Sequence, residues 1–188
     1  MILGDNLFYG VDFGELLKHE KMNVKQNQQA SIFAYQVQNP EEYGVAEMGT
    51  DGKVVSLVEK PNHPKSRWAV TGMYMYPKDA PKLTKNIRPS PRGELEITSL
   101  NNLYLERKRL NCRNLGRGFA WLDTGTANSL LEASQFIETI ERRQGYKIAC
   151  LDEIAWRNNW ISQETFELAI TEQQNSSYGR YLSSLLHS

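Results

Sequence analysis

The stretch Ala30–Gln38 (ASIFAYQVQ) constrains the fold more than any other. Ile32, Ala34 and Tyr35 are interspersed with Phe33 and Val37, so neither face is polar. That is the pattern of a strand buried on both faces. Asn39 and Pro40 stop it. Gly44–Met48 and Val54–Glu59 flank Asp51-Gly52, a dipeptide that reaches positive φ easily and so favours a tight hairpin turn. The second arm of that hairpin delivers Glu59, Lys60 and Pro61 into a loop. Ala69–Tyr76 reads as a further strand ended by Pro77, and Gly72 inside it leaves room for a ligand or another backbone to come close.

Helical spacing takes over further along. Leu100, Leu103, Tyr104 and Leu110 predict a helix over 97–109 with cations towards its end. Thr126–Gln144 is the clearest helix: Leu130, Ala133, Ile137 and Ile140 share a face, Thr126 can cap the start and Gly145 the end. A short strand over 147–151 is expected next, then helices near 152–158, 162–174 and 178–186. Strands and helices alternate, but hairpins interrupt the order, which predicts an α/β fold with a sheet of mixed direction. Residues 1–146 are expected to form the main part and 147–188 a C-terminal helical region. Leu3-Gly4-Asp5-Asn6 reads as the end of a buried strand entering a loop, with no strand ahead of it in this sequence. A sheet without its central strands would expose apolar edges.

Charge narrows the partners. The 22 basic and 22 acidic residues cancel, so there is no basic field to gather a nucleic-acid backbone or an anionic membrane. No apolar run is long enough to cross a bilayer, and the first residues lack a basic-then-apolar leader pattern, so a cytoplasmic location is expected. Cys112 and Cys150 are widely separated and are read as reduced, packed thiols. His19, His63 and His187 are isolated. HExxH, zinc-type Cys/His sets, nucleophile elbows and P-loops are missing from the sequence, which argues against the metalloprotease, serine hydrolase and P-loop classes.

Two acids stand at inferred strand ends, where open α/β sheets bind ligands. Asp5 follows Gly4, and Asp123 lies in Trp121-Leu122-Asp123-Thr124-Gly125 between a strand-like run and a helix start. Two carboxylates with substrate phosphates are a usual cradle for Mg²⁺. Turn closure by Asp5 and a helix-start role for Asp123 are the bland alternatives. Glu59-Lys60-Pro61 sets an acceptor beside a cation, suited to a sugar hydroxyl and a phosphate or simply to a solvated loop. Arg92-Gly93-Glu94-Leu95-Glu96-Ile97-Thr98 concentrates charge before a helix, where capping and surface pairs suffice as an explanation.

Taken in order, these segments resemble the sugar-1-phosphate nucleotidylyltransferases, most of all the branch that makes dTDP-glucose. The resemblance runs through Leu3-Gly4-Asp5-Asn6 with Phe8-Tyr9-Gly10, Glu42-Tyr43-Gly44-Val45, Glu59-Lys60-Pro61, Ala69-Val70-Thr71-Gly72, Arg92 to Thr98 and Trp121 to Thr126. It implies a Rossmann-like three-layer αβα sandwich and a reaction of glucose-1-phosphate with dTTP, giving dTDP-glucose and pyrophosphate with Mg²⁺. A uridylyl-transferring relative and a catalytically silent sugar-nucleotide-binding subunit are the alternatives. By the same resemblance Asp5 and Asp123 hold the metal, Lys60 meets the sugar phosphate, and Asn6, Tyr43, Gly44, Glu59, Val70 and Tyr74 surround the glucosyl unit. Tyr9, Gly10, Glu15, Arg117, Glu153, Ile154 and Arg157 match a separate regulatory nucleotide site, and a homotetramer is implied. The family's GxGTRL segment, with its triphosphate-binding cations, is expected ahead of Leu3 and is not in this sequence.

Overall fold

The computed structural model describes residues 1–186; His187 lies outside the described residues. Compact packing divides the chain into Met1–Ser129 and Leu130–Ser188.

The first unit is built on a five-stranded mixed sheet of order β4-β3-β5-β2-β6, made of β2 (Ala30–Gln36), β3 (Gly44–Met48), β4 (Val54–Glu59), β5 (Trp68–Met75) and β6 (Leu110–Asn114). β2 runs antiparallel to β5 and parallel to β6. The expected two-sided burial of β2 is realised. Ile32 packs with Val70 and Tyr74 on one face, while Phe33 packs with Met73 and Leu115 on the other, each fully or almost fully excluded from water. Burying a side chain of this size contributes about 1.5–3 kcal/mol.

Helices cover both faces. On the Phe33 side lies α1 (Phe13–Asn27), whose Phe13, Leu16 and Leu17 reach that cluster. On the other lie the one-turn α2 (Ala80–Leu83) and α3 (Ile97–Glu106), where Leu100 and Tyr104 are buried against Ala30. The predicted mixed α/β sandwich is therefore the observed fold. A separate antiparallel ribbon joins β1 (Asn6–Gly10) to β7 (Phe119–Asp123). Ahead of β1, Met1 and Leu3 hydrogen-bond β5 backbone at Tyr74 and Gly72, with Met1, Ile2 and Leu3 exposed.

Some elements depart from expectation. α3 stops at Glu106, short of 109, because Lys108 turns to φ 56° and the Arg109 N–H caps the Tyr104 carbonyl. Arg109 then donates to Asp79 and to the Gln28 carbonyl, and Leu110 opens β6 rather than closing a helix face. The second unit holds most of α4 (Ala127–Gln144) together with α5 (Leu151–Arg157), α6 (Gln163–Glu172) and α7 (Ser177–Leu185), the last three packed round Phe166 and Leu182. The strand expected over 147–151 is a turn: the Glu141 carboxylate takes the Lys147 ammonium and the Ile148 N–H, leaving that backbone no ladder to join. Glu141 of α4 thereby ties that turn to the helix before it. Thr126 and Ser129 cap α4 reciprocally, as the sequence suggests, but Leu130 is exposed.

Candidate functional site

Ribbon register brings the two candidate acids together. Asn6 lies opposite Asp123, so Asp5, one residue before β1, stands beside the last residue of β7. Thr124 closes the junction by donating its N–H and its hydroxyl to the Asp5 carbonyl, at 2.7 and 2.9 Å. The Gly125 N–H donates to Asp123 Oδ1 at 2.9 Å. A methyl placed on Gly125 would lie 3.1 Å from Asp123 Oδ1 and 3.8 Å from Asp5 Oδ2, so both carboxylates border one small space that only glycine leaves open. Each acid keeps an oxygen that accepts no hydrogen bond among the described residues. Paired carboxylate oxygens beside an open approach are the donor set a hard divalent cation takes, with phosphates completing the shell.

Next to these acids is a cavity of about 260 Å³ whose wall includes Asn6, Tyr43, Gly44, Glu59 and Lys60. Val70, Tyr74 and Asp123 complete the predicted set there. The residues come from β1, β3, β4, β5, β7 and the loops after β2 and β4, so no single segment could have formed the cavity. A neighbouring hollow of about 330 Å³ shares Glu42, Tyr43, Lys60 and Asp123 and continues to Gly125 and Ser129.

Local chemistry holds each side chain. Glu59 accepts from the Thr98 hydroxyl at 2.5 Å. A Cβ on Gly44 would sit 3.1 Å from both of those oxygens, so the pair fills the space a side chain there would occupy. Lys60 has φ 39°, an uncommon conformation for a lysine, and its N–H is tied to the Tyr43 carbonyl at 3.0 Å. Its exposed ammonium has no ion pair among the described residues. Burial, then the charges of Asp123 and Glu42, push the Tyr43 phenol above its ordinary range, which keeps it a hydrogen-bond donor at neutral pH. Burial, reinforced by Glu59, does the same more strongly to Tyr74.

Glu42, Glu96, Thr98 and Trp121 also line the cavity, although the sequence reading gave them no binding role. For Glu96 and Thr98 the signal was the charged run before α3. That run divides: Arg92 pairs with Glu94 and Glu96 near the surface, while Thr98 turns inward to Glu59. The room left by Gly72 is taken by the Asn6 side chain, whose atoms lie 2.6–2.8 Å from where a Cβ would be.

The predicted regulatory residues divide between the units. In the first, Tyr9 and Gly10 are on β1, Glu15 pairs with Lys18 on α1, and Arg117 borders a hollow with Arg67 and Trp68. The absent side chain of Gly10 makes way for the Phe119 ring, 2.3 Å from its Cβ position. In the second, Glu153 and Arg157 form an ion pair at 2.7 Å along α5, and Glu153 also accepts from the Tyr181 hydroxyl. A hollow of the second unit, about 770 Å³ and bordered by Arg142, Tyr146 and Arg180, contains none of the predicted residues.

The nucleotidyl transferase family profile matches residues 1–140. The chain is 50% identical over 186 residues to the glucose-1-phosphate thymidylyltransferase of Neisseria meningitidis, covering 99% of this chain and 64% of that protein. It is 46% identical to the enzyme of the same name from Mycobacterium tuberculosis, covering 99% and 63%. A solved structure described as a glucose-1-phosphate thymidylyltransferase from Bacillus anthracis, in complex with a sucrose, superposes at TM-score 0.61 and 37% identity, over 72% of this chain and 52% of that one. A UDP-glucose pyrophosphorylase complexed with UDP-glucose shares the fold at TM-score 0.64 and 24% identity, over 73% and 55%. The chain thus spans a little under two thirds of the curated relatives' length.

Proposed function

Because the chain belongs to the nucleotidyl transferase family, we propose that it supplies the sugar-phosphate and metal-binding part of a glucose-1-phosphate thymidylyltransferase, the activity that yields dTDP-glucose and pyrophosphate. The observation carrying this reading is the cavity itself, in which a free lysine, a held glutamate and Asp123 converge from distant segments, with Asp5 beside Asp123 above Gly125.

In the reaction a phosphate oxygen of glucose-1-phosphate forms a bond to the α-phosphorus of dTTP while the bond to pyrophosphate breaks. Such transfers need alignment and charge neutralisation rather than a covalent enzyme intermediate. Lys60 offers its ammonium to the sugar phosphate, and Glu59, oriented by Thr98, accepts from a sugar hydroxyl. Tyr43 stays protonated and donates. Asp5 and Asp123 are the residues that would hold Mg²⁺, which supplies neutralisation of the reacting phosphates when bound.

The test is a chimera in which this chain replaces the matching part of the Neisseria meningitidis enzyme. Pyrophosphate release from dTTP and glucose-1-phosphate is expected, with Lys60→Ala raising the sugar-phosphate requirement. Turnover with UTP alone would favour uridylyl transfer, and none with any nucleoside triphosphate would favour a silent binding subunit. The 188-residue chain by itself is expected to release no pyrophosphate, since the residues described offer no cradle for the triphosphate.

Assembly and regulation extend the reading. Leu131, Leu151, Trp160 and Leu168 of the second unit are 59–76% exposed, an apolar surface suited to a homotetramer and measurable by light scattering. On the second unit, Glu153, Ile154 and Arg157 are assigned to feedback by a dTDP-sugar. Unchanged inhibition of the chimera's Arg157→Ala variant would remove that role. The chemistry is that of cytoplasmic sugar-nucleotide synthesis, and no helix among the described residues is long and apolar enough to cross a membrane.

A further inference from the structure

We propose that Asn6, locked by Trp121 and Gly72, is a positioning residue that sets the Asp5 carboxylate for a divalent cation. The inference rests on the metal reading above and extends it to groups that do not touch the metal. Asn6 Oδ1 accepts from the Gly72 N–H at 2.9 Å and from Trp121 Nε1 at 2.6 Å. Two donors on one atom decide which end of the amide is oxygen. The nitrogen end is thereby turned to Asp5, and Nδ2 donates to Asp5 Oδ1 at 2.9 Å. With Oδ1 held, Oδ2 is the oxygen directed towards the space above Gly125 that Asp123 also borders.

Each link of the lock is itself fixed. Trp121 is only 9% exposed, and its ring meets Tyr43 edge-on at 5.0 Å and Tyr35 at 6.2 Å, so the indole N–H cannot swing away. Position 72 must be glycine, since any Cβ would collide with the Asn6 amide. The geometry therefore runs from an aromatic cluster through an indole and an amide to a carboxylate. Mg²⁺ demands near-ideal octahedral geometry, so a carboxylate that keeps a single orientation favours it. Groups behind a metal ligand typically carry about 10–100-fold in metal affinity. Asn6 also lines the sugar cavity, so the sugar side and the metal side share one amide.

The experiment titrates the 188-residue chain with Mn²⁺, following the free-ion electron paramagnetic resonance signal and the broadening of the Gly125 amide resonance. Asp5→Asn is expected to abolish most binding. Asn6→Leu, which keeps the volume but removes both polar ends, is expected to weaken binding by about tenfold. Trp121→Phe keeps a ring and loses one donor, and is expected to weaken binding by about fivefold, the value of one hydrogen bond. Trp160→Phe, at an exposed tryptophan, is expected to leave it unchanged. If Asp5→Asn eliminates binding while Asn6→Leu and Trp121→Phe bind as the parent does, the positioning inference is overturned and the metal reading stands. If Asp5→Asn binds Mn²⁺ normally, both fall. Should Asn6→Leu misfold, hydrogen exchange of the parent's Trp121 indole N–H decides independently: protection supports the lock, and exchange as fast as that of a free indole in water overturns it.

Discussion

The β1–β7 ribbon and the β2–β5 pair are both antiparallel, yet they are held in different ways. Every residue of β1 is half-exposed, and β7 buries only Trp121. In β2 the run Ala30–Ala34 is buried, and in β5 the run Ala69–Tyr74 is buried. The ribbon carries Asn6 and Asp123, with Asp5 just ahead of it, the polar groups proposed to hold or orient a metal ion. The sheet presents Val70 and Tyr74 to the cavity and backs it with a packed core. Hydrogen bonds to Thr124, Gly125, Gly72 and Trp121 position the ribbon acids, whereas hydrophobic burial positions the sheet. Function and stability are therefore expected to respond to different substitutions.

The largest effect tests the sheet side. Phe33 is fully buried, so Phe33→Ala is expected to cost about 3–5 kcal/mol in urea unfolding of the 188-residue chain. A loss near that of a surface substitution would erase the distinction between the two pairs. Asp123→Asn sits on the other side of the comparison. It is expected to lower turnover of the chimera by about 100-fold or more, with no drop in melting temperature, because removing one of two neighbouring charges relieves repulsion. A large fall in melting temperature would show that the ribbon, like the sheet, is held by what the acid packs against.

Alkaline pH sharpens the contrast. Burial pushes the Tyr74 and Tyr76 phenols well above their ordinary value of 10.0. A raised folded-state value means the stability these groups contribute is fully present below pH 10 and is lost as pH rises above it. Thermal melts between about pH 9 and 11 are expected to show that decline, and Tyr74→Phe, whose hydroxyl makes no hydrogen bond among the described residues, should make it shallower. An identical decline in Tyr74→Phe would count against the burial account. Conversely, the Arg109 hydrogen bond holds Asp79 below the ordinary carboxylate range, so that contribution is present above pH 4 and fades as pH falls through the lowered value. The smallest effect is Arg157→Ala: its pair with Glu153 is more than half exposed on the arginine side, and stability is expected to change by less than about 1 kcal/mol.

Some of this was legible in local chemistry. The two-sided burial of β2, the Asp51-Gly52 hairpin, the α4 cap and the mixed α/β class all follow from periodicity and turn residues, which act over a few neighbouring positions. α1 went unread in the sequence, although Leu16, Leu17 and Val24 recur at helical spacing, because its many charged residues hid that face. β6 was absorbed into the predicted helix because Leu110 fits both periods, and a left-handed Lys108 is not announced by a lysine.

The sequence alone, through its order of motifs, determined which residues to gather: Asp5, Asn6, Tyr43, Gly44, Glu59, Lys60, Val70, Tyr74 and Asp123. Only the tertiary structure decided how they act on one another. Asn6 was read as a sugar contact, and it is the register of β1 on β7, together with the crossing of β5 beneath them, that sets its amide between Trp121, Gly72 and Asp5. Thr98 belonged to a run that capping explained, and it reaches Glu59, 39 positions away, only because α3 packs on the sheet next to β4. Local preferences extend over a turn or a strand, whereas hydrogen bonds between such distant residues exist only once burial has brought their elements together.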